Sequence, residues 1–368
     1  MTENISAYRA ELPFAAPHAH GGSQVGGVMR RVLLALVPAT LFGFWLYGWP
    51  AFFLWGITLF AALVFEFMSL RLMGKTGHAA FYTVLDGSAL LTGWLFAMTL
   101  PPWSPWWVGV LGAFIAIVIG KQVFGGLGQN VFNPAMVARV ALLISFPLQL
   151  TAWVTPLPLT SELAPGFVEG LHITLGQTPL PDAMTSASLL GYAKTELSRG
   201  VDLAQALAAS HAPQVSALGL RAGSLGESSA LLLLVGGVFL LATRVIRWQA
   251  PLGVLAGVAL PALIAHALAP GHYLSVEAHL FSGALMLGAF FIATDYVTSP
   301  ATGAGQLVFG LGVGVITWVI RSLGGYPEGV AFAILFMNAL TPLLDRTFHP
   351  RILGRTRAGK PLAAKKDA

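Results

Sequence analysis

Residues 29–72 decide the fold class, and they read MRRVLLALVPATLFGFWLYGWPAFFLWGITLFAALVFEFMSLRL. The stretch holds two apolar runs, 29–48 and 51–72, which are separated only by Trp49 and Pro50. About 20 mostly apolar residues are enough for a helix to cross the hydrocarbon core of a bilayer. The stretch therefore predicts two consecutive membrane-spanning helices.

The composition of the whole chain agrees with this interpretation. Of its 368 residues, 56% are hydrophobic and 10% are charged, and the mean hydropathy is +0.75, whereas a soluble domain has about 25% charged residues. The net charge of +5 does not indicate nucleic-acid binding, because the basic residues lie beside apolar spans. The chain has no cysteine, which excludes disulfides, thiolate-bound zinc and iron–sulfur ligation by this chain, and no metal site is predicted.

The hydropathy pattern predicts an all-α membrane protein with about ten transmembrane helices. A cluster of three tryptophans after the third span is typical of an interfacial anchor. The predicted spans are 29–48, 51–72, 85–101, 105–121, 134–150, 226–244, 251–269, 279–297, 304–321 and 327–345.

The basic residues determine the predicted orientation. With the N-terminus in the cytoplasm, most Lys and Arg residues fall on the inner side of the membrane, as the positive-inside rule requires. Both termini are then cytoplasmic, and the one long polar segment faces the periplasm of a bacterial inner membrane. The predicted organisation is a cytoplasmic tail at 1–28, helices 1–5 within 29–150, a periplasmic loop at 151–225, helices 6–10 within 226–346 and a basic cytoplasmic tail at 347–368.

The two halves of the chain resemble each other. Lys121 ends an apolar run and is followed by QVFGGLGQNVFNPAMVARVALL, and Arg321 ends another and is followed by SLGGYPEGVAFAILFMNALTPLL. Because each half has an odd number of spans, we expect two inverted five-helix repeats, a plan in which Gly- or Pro-interrupted segments mark a site near the membrane midplane. The alternative is two Gly-rich helix hairpins that match by chance.

A seven-residue motif, DAMTSAS, lies in the predicted periplasmic loop between Asp182 and Ser188. It resembles the flavinylation sequence Asp-(Gly/Ala)-x-(Ser/Thr)-(Ser/Gly)-Ala-(Ser/Thr), at which a periplasmic flavin transferase moves FMN from FAD onto the hydroxyl as a phosphoester. Thr185 would be the acceptor, and the small neighbours Ser186, Ala187 and Ser188 would let the transferase approach the backbone. The alternative is an ordinary solvated loop, which such a composition usually indicates.

With this motif, the chain resembles the family of the D subunits of Rnf electron-transport complexes, to which the B subunit of the sodium-pumping NADH:quinone reductase is closely related. The resemblance extends from the first span to the tenth and is strongest at 121–140, 182–188 and 288–306. It implies a covalent FMN on Thr185, a second, non-covalent flavin (riboflavin) within the membrane, and coupling of ferredoxin/NAD electron transfer to ion movement. It also implies partners: further membrane and peripheral subunits, among them a second FMN-carrying periplasmic subunit and iron–sulfur subunits.

The block at 121–140 also has a physical interpretation. Gly125 and Gly126 interrupt a helix and allow close backbone approach to a ligand. Asn130 and Asn133 place two amides just before Pro134, which is predicted to begin a helix. Amides suit the alternating carbonyls and nitrogens of an isoalloxazine edge, and the resemblance implies riboflavin here. The alternative, which does not exclude the first, is that one asparagine caps the helix.

Three acidic residues lie in or beside the predicted spans: Glu66, Asp86 and Asp295. Ionisable groups at membrane depth are functional candidates, so each is considered for an ion path, a proton relay or a flavin contact. The alternative for each is a structural pair with a basic residue across the bundle, namely Lys121, Arg139 or Arg321.

Two classes of function remain open from the sequence. The first is a flavin-bearing redox subunit of an ion-translocating oxidoreductase, in the Rnf complex or in the related quinone reductase. The second is a urea-type channel or transporter on the same inverted-repeat scaffold. A channel has no need of a flavinylation sequence in a long loop, so the motif favours the redox subunit. No Gly-rich nucleotide loop follows a strand, so this chain is not expected to bind NADH itself.

Overall fold

The computed structural model describes residues 25–177, 188–203, 219–220 and 222–349, together with the backbone of residues 185–186. Most of the two predicted tails, 1–28 and 347–368, therefore lies outside the described residues. The described chain is predominantly helical, and its one sheet has two short strands.

The helices follow one another along the chain with short connections in both halves. Two of them continue into π-helical turns, Ile115–Ile119 after α4 and Gly288–Ile292 after α12, and a short 3-10 turn, Gln122–Phe124, follows the first of these. In the described residues the α-helices are α1 (Val25–Leu72), α2 (Gly77–Val84), α3 (Ser88–Met98), α4 (Trp106–Phe114), α5 (Pro134–Ser145), α6 (Pro147–Thr151), α7 (Phe167–Thr174), α8 (Leu189–Ser198), α9 (Ala230–Ala242), α10 (Gln249–Leu268), α11 (Val276–Phe281), α12 (Leu285–Leu287), α13 (Gly303–Ser322) and α14 (Val330–Thr347).

Several of these helices are long and apolar enough to cross a membrane, which makes the chain a multi-pass membrane protein. Within the described residues five qualify by length and composition: α1, α10, α13, α14 and the continuous segment Trp106–Phe124. A sixth is obtained when α2 and α3, which meet at a 46° bend, are taken as one span. The helices α5 and α9 are apolar but shorter.

Helix α1 is a hairpin of two arms, not a single rod. Its 48 residues would extend roughly 70 Å if straight, but Gly48 has the non-helical angles φ 74° and ψ −161°. The rings of Phe44 and Trp55 are 5.4 Å apart between centroids, although residues eleven positions apart in a straight helix are separated by about 16 Å. The chain therefore reverses at Gly48, and the two arms correspond to the first two predicted spans.

A tryptophan of α3 holds the two arms together. The indole nitrogen of Trp94 donates a 2.9 Å hydrogen bond to Thr40 Oγ1 on the first arm. Its ring lies 4.8 Å from that of Trp55 on the second arm. At the other end of the hairpin, Val28 on the first arm lines the same cavity as Ser88. Glu66 on the second arm contacts Lys121, and Lys121 also contacts Ser88. The arms thus run antiparallel along their length.

Three predicted continuous spans are wrong in detail. The helical part of the span predicted at 85–101 begins only after a 46° bend between α2 and α3, where Gly87 has φ 85°. The span predicted at 134–150 is interrupted at Phe146 (φ −135°, ψ 60°), because Pro147 disfavours helical angles in the residue before it. The span predicted at 279–297 is interrupted between α11 and α12, where Gly283 has φ 68°. Glycine adopts such angles without strain. Hydropathy alone does not indicate a break of either kind, because it does not depend on backbone angles.

Helices α10 and α13 pack backbone against backbone through glycines. A Cβ built on Gly314 would lie 2.3 Å from the carbonyl oxygen of Val254 and 2.7 Å from Cα of Gly257. Likewise, a Cβ on Gly257 would lie 2.5 Å from the carbonyl oxygen of Leu311. Small residues that permit close approach are typical of helix pairs in membranes, where van der Waals contact replaces the hydrophobic driving force.

We expect Gly314→Ala to lower the apparent Tm in detergent, because the added methyl group forces the two backbones apart at a cost of about 1–3 kcal/mol. The control is Gly56→Ala on α1, where nothing lies within 4 Å of the built Cβ. Because alanine has the higher helix propensity, the control should match or exceed the wild type. Equal Tm values for the two variants would mean that the close packing contributes nothing to stability.

Candidate functional site

The segment between Lys121 and Pro134 is a tight turn that three glycines make possible. Gly125, Gly126 and Gly128 have φ values of 113°, 97° and 88°, a region in which other residues are strained. The turn follows the 3-10 turn Gln122–Phe124 and delivers the chain to the first residue of α5. The predicted interruption is thus present in the structure.

Asn133 joins three segments of the chain. Its Oδ1 accepts from Met136 N at 3.2 Å and so caps α5. Its backbone N–H donates to Asn338 Oδ1 at 3.1 Å, and its Nδ2 donates to Asp295 Oδ2 at 3.4 Å. The capping role considered for an asparagine therefore belongs to Asn133. Asn130 instead donates from Nδ2 to the carbonyl of Phe132, at 3.1 Å within the same turn.

Asp295 organises a second turn, which lies opposite the first. Its side chain accepts from Val297 N at 3.2 Å and from Thr298 Oγ1 at 3.1 Å, in addition to Asn133. The carbonyl of Thr298 in turn accepts from Asn338 Nδ2 at 3.0 Å and from Thr341 Oγ1 at 2.9 Å. Both turns are therefore attached to α14, and these three donors to the Asp295 carboxylate are neutral.

A cavity with an empty volume of about 780 Å³, its open mouth included, lies between these turns. It unites the two sequence blocks at 121–140 and 288–306, which are far apart in the chain. Most of its wall is apolar, and a few polar groups converge on it, which is the usual composition of a small-molecule site. Its polar lining residues are Ser88, Thr92, Lys121, Asn130, Asn133, Thr294, Asp295 and Tyr296, and the apolar ones include Val28, Leu91, Leu95, Leu127, Phe290 and Phe291.

A buried ion pair closes one end of this cavity. Lys121 Nζ lies 2.8 Å from Glu66 Oε1 and 2.8 Å from Ser88 Oγ. The two charged side chains are 2% and 1% exposed. The structural pair considered for Glu66 is therefore present. Asp86 has another contact, because its Oδ1 accepts from Ser88 N at 2.7 Å where α3 begins after Gly87.

Arg321 occupies a matching position in the second half. It lies at the end of α13, and its guanidinium donates to the carbonyls of His279 and Ser282 at 2.7 and 2.9 Å. Arg321 also forms an ion pair with Glu328, with 3.4 Å between Nη2 and Oε2. In each half, then, a basic residue near the end of the fourth predicted span binds the interruption of the third and pairs with a glutamate. Gly87 (φ 85°) and Gly283 (φ 68°) mark the two interruptions.

The segment with the predicted flavin acceptor is held by a short antiparallel ladder. Thr185 pairs with Val154, and Ser186 pairs with Trp153. The side chains of Thr185 and Ser186, like all of Asp182 and Ala187, lie outside the described residues. Ser188 is described, and its Oγ accepts from Gly191 N at 3.2 Å to cap α8.

The partner strand is itself fixed to the membrane helices. Trp153 and Val154 are buried, and Val154 packs with Trp103 and Ile173. The guanidinium carbon of Arg139 on α5 lies 6.0 Å from the centroid of the Trp153 ring, within reach of a cation–π contact. The strand pair thus connects the loop to α5.

Two contributors to these arrangements are not among the predicted site residues. Asn338 is absent from that set, although an amide within the apolar run AFAILFMNAL is a signal that could have identified it. Lys194 is also absent from that set, yet it donates to three carbonyls at the end of α13 and beyond. Nothing in its local sequence indicates that contact.

Together these features define a multi-pass helical membrane protein with a mostly apolar cavity between its helices and a short strand pair attached to them. The chain belongs to the family described as NQR2, RnfD, RnfE, whose model matches residues 14–354. It is 50% identical to the D subunit of the ion-translocating oxidoreductase complex of Halorhodospira halophila, over 96% of this chain and 98% of the relative. The D subunits of the same name from Stutzerimonas stutzeri and Rhodobacter capsulatus are 52% and 47% identical to it, over 94% and 92% of this chain and 96% and 93% of the relatives.

Replacing Glu66 by Met should destabilise the protein by about 3–5 kcal/mol, because it leaves a buried ammonium without its counter-charge. The double variant Glu66→Met/Lys121→Met removes both charges and should recover most of the loss. The measurements are the yield of monodisperse protein and the apparent Tm in detergent. A single variant as stable as the wild type would show that the pair does not hold the α3 interruption in place.

Proposed function

We propose that this chain is the D subunit of an Rnf-type complex that couples electron transfer between ferredoxin and NAD to ion translocation. It would carry FMN as a phosphoester on Thr185 and riboflavin in the cavity between the two turns. The observation that carries the proposal is the cavity, because it joins two of the three sequence blocks on which the family resemblance is strongest, 121–140 and 288–306. The names of the relatives, which match almost end to end, support the choice of the Rnf subunit over the quinone-reductase one.

The residues of the cavity fit an isoalloxazine ring. Phe290 and Phe291 provide apolar wall that excludes water, while Asn130 offers an amide for the polar edge of the ring. Asn133 donates a hydrogen bond to Asp295 and so holds the two turns that form the walls in a fixed relative position. When bound, the flavins would supply one- and two-electron transfer, and the protein supplies position and electrostatics.

We further propose ten membrane crossings in two inverted five-helix halves, with both termini in the cytoplasm and the loop 151–225 in the periplasm of the inner membrane. The reversal of α1 supports two crossings in its 48 residues. The matching positions of Lys121 and Arg321 support the repeat, because each binds the interruption of the preceding span. A flavin transferase would modify Thr185 from the outer side, and the electrons would pass to further flavin- and iron–sulfur-bearing subunits.

Among the three acidic residues proposed for the ion path, Asp295 has the surroundings that best suit a cation. Its carboxylate is bound by neutral donors and faces the cavity. Glu66 is instead neutralised by Lys121, and Asp86 binds the first turn of α3. We therefore assign the ion-binding role first to Asp295.

Thr185→Ala should abolish the covalent flavin, because it removes the acceptor hydroxyl. The test is the yellow fluorescence of the denatured band after co-expression with the flavin transferase. Thr195→Ala makes the same change on the exposed side of the same loop and should remain fluorescent. A fluorescent Thr185→Ala band would move the attachment site elsewhere, and a dark wild-type band would favour the channel interpretation.

Asn130→Ala should lower the non-covalent flavin several-fold, since a lost hydrogen bond costs about 0.5–1.5 kcal/mol. This position is chosen over Asn133 because the latter also caps α5 and links three segments. Flavin released on denaturation is quantified against the covalent band, which should not change. Gln129→Ala, an exposed amide one residue away, is the control. Full flavin retention in Asn130→Ala would exclude this amide from the binding site.

A further inference from the structure

Helix α8 begins four residues after Thr185 and lies against the membrane helices. Ser188 caps it, and its Leu189, Leu190 and Ala193 are buried. The helix is therefore a fixed element of the loop rather than a freely solvated turn. Because α8 begins so close to Thr185 in the chain, the position of the helix restricts where Thr185 can lie.

Lys194 attaches α8 to the end of α13. Its ammonium donates to the carbonyls of Ile320 at 3.1 Å, Gly324 at 2.5 Å and Tyr326 at 2.5 Å. A lysine ammonium has three donors, and here each has a carbonyl acceptor. The contacts span 126 to 132 positions of sequence and join the loop to the second half of the protein.

The end of α13 is well suited to receive this cation. Ile320 lies in the last turn of α13, and its carbonyl also accepts from Gly324 N at 3.1 Å, whereas Gly324 and Tyr326 follow the end of the helix. A cation at this position interacts favourably with the negative end of the helix dipole. Partial burial lowers the pKa of Lys194, and the negative charge of Glu328 opposes that shift.

The loop segment is thus held on both sides of Ser188. Towards the N-terminus, Thr185 and Ser186 pair with the strand Trp153–Val154, which connects to α5. Towards the C-terminus, Lys194 reaches the end of α13. The two attachments involve different halves of the protein, so together they fix the segment relative to the cavity between those halves.

We propose that Lys194 is a positioning residue for electron transfer: its three-carbonyl anchor fixes the segment bearing Thr185 against α13. The inference rests on the proposed attachment of FMN to Thr185. In this role the ammonium positions the segment through its three hydrogen bonds, so a positive charge without that geometry would not replace it. Arginine would keep the charge, but its longer, planar guanidinium does not reproduce the compact geometry with which the ammonium contacts these three carbonyls.

The test uses the assembled complex purified from membranes, with Lys194→Met, Lys194→Arg and the control Arg199→Met. Arg199 is exposed on the same helix and pairs only locally with Glu196 in the described contacts, at 2.9 Å. Stopped-flow absorbance follows electron transfer through the covalent flavin, with NADH or reduced ferredoxin as the donor. In both Lys194 variants we expect a rate lower by about tenfold or more, because small misplacements of reacting groups are costly. The control should keep the wild-type rate.

Two further readouts separate this inference from the proposed function. In-gel fluorescence should show unchanged covalent flavin in all variants; if the wild type carries none, it is the proposed function that fails. Amide hydrogen exchange should be faster across Leu189–Ser198 in Lys194→Met and unchanged in Arg199→Met, whether or not flavin is bound. Unchanged exchange in Lys194→Met, a wild-type rate in that variant, or full recovery of the rate in Lys194→Arg would each overturn the anchor. Should Lys194→Met fail to assemble, Lys194→Arg alone decides between these outcomes.

Discussion

A helix that is interrupted at membrane depth exposes polar groups that lipid cannot satisfy, and this protein satisfies them with basic side chains from within the bundle. Lys121 binds Ser88 where α3 begins, and Arg321 binds the carbonyls of His279 and Ser282 where α11 ends. Each base is balanced by a glutamate. The cavity depends on the contact between Lys121 and Ser88, because both residues form part of its wall.

The same constraint explains why the cavity lies where it does. The turns around Asn133 and Asp295 expose backbone that only protein can cover, and they cover each other through one amide–carboxylate contact and through α14. Irregular backbone at membrane depth occurs where it is buried in protein or lines a cavity. A cavity between the two turns is therefore a consequence of the interruptions, and the apolar helices around it provide the wall.

Hydropathy and the positions of Gly and Pro predicted much of this architecture. The two runs in 29–72 correspond to the two arms of α1, and the Gly-rich segment after Lys121 is the turn that was expected. The cap at Asn133 and the pair between Glu66 and Lys121 were among the alternatives considered. These features follow from local sequence, or from the rule that a buried charge requires a counter-charge.

Other features could not be predicted, because they depend on contacts between distant segments. Hydropathy does not distinguish a continuous span from one with a single residue at positive φ, so it does not indicate the interruption at Gly283. Lys194 resembles any other loop lysine until α8 is placed beside the end of α13. Asn338 acquires its role only when the two turns meet on α14. Each of these requires the tertiary arrangement first.

The glycine contacts between α10 and α13 determine how the protein can move. Two helices whose backbones touch over Gly257 and Gly314 have no side-chain layer between them that could slide or repack. They must travel as one rigid body, and α8 travels with them because Lys194 is fastened to the end of α13. In a rearrangement, the α10–α13 pair and the attached helix α8 would therefore shift as one unit against the α1 hairpin.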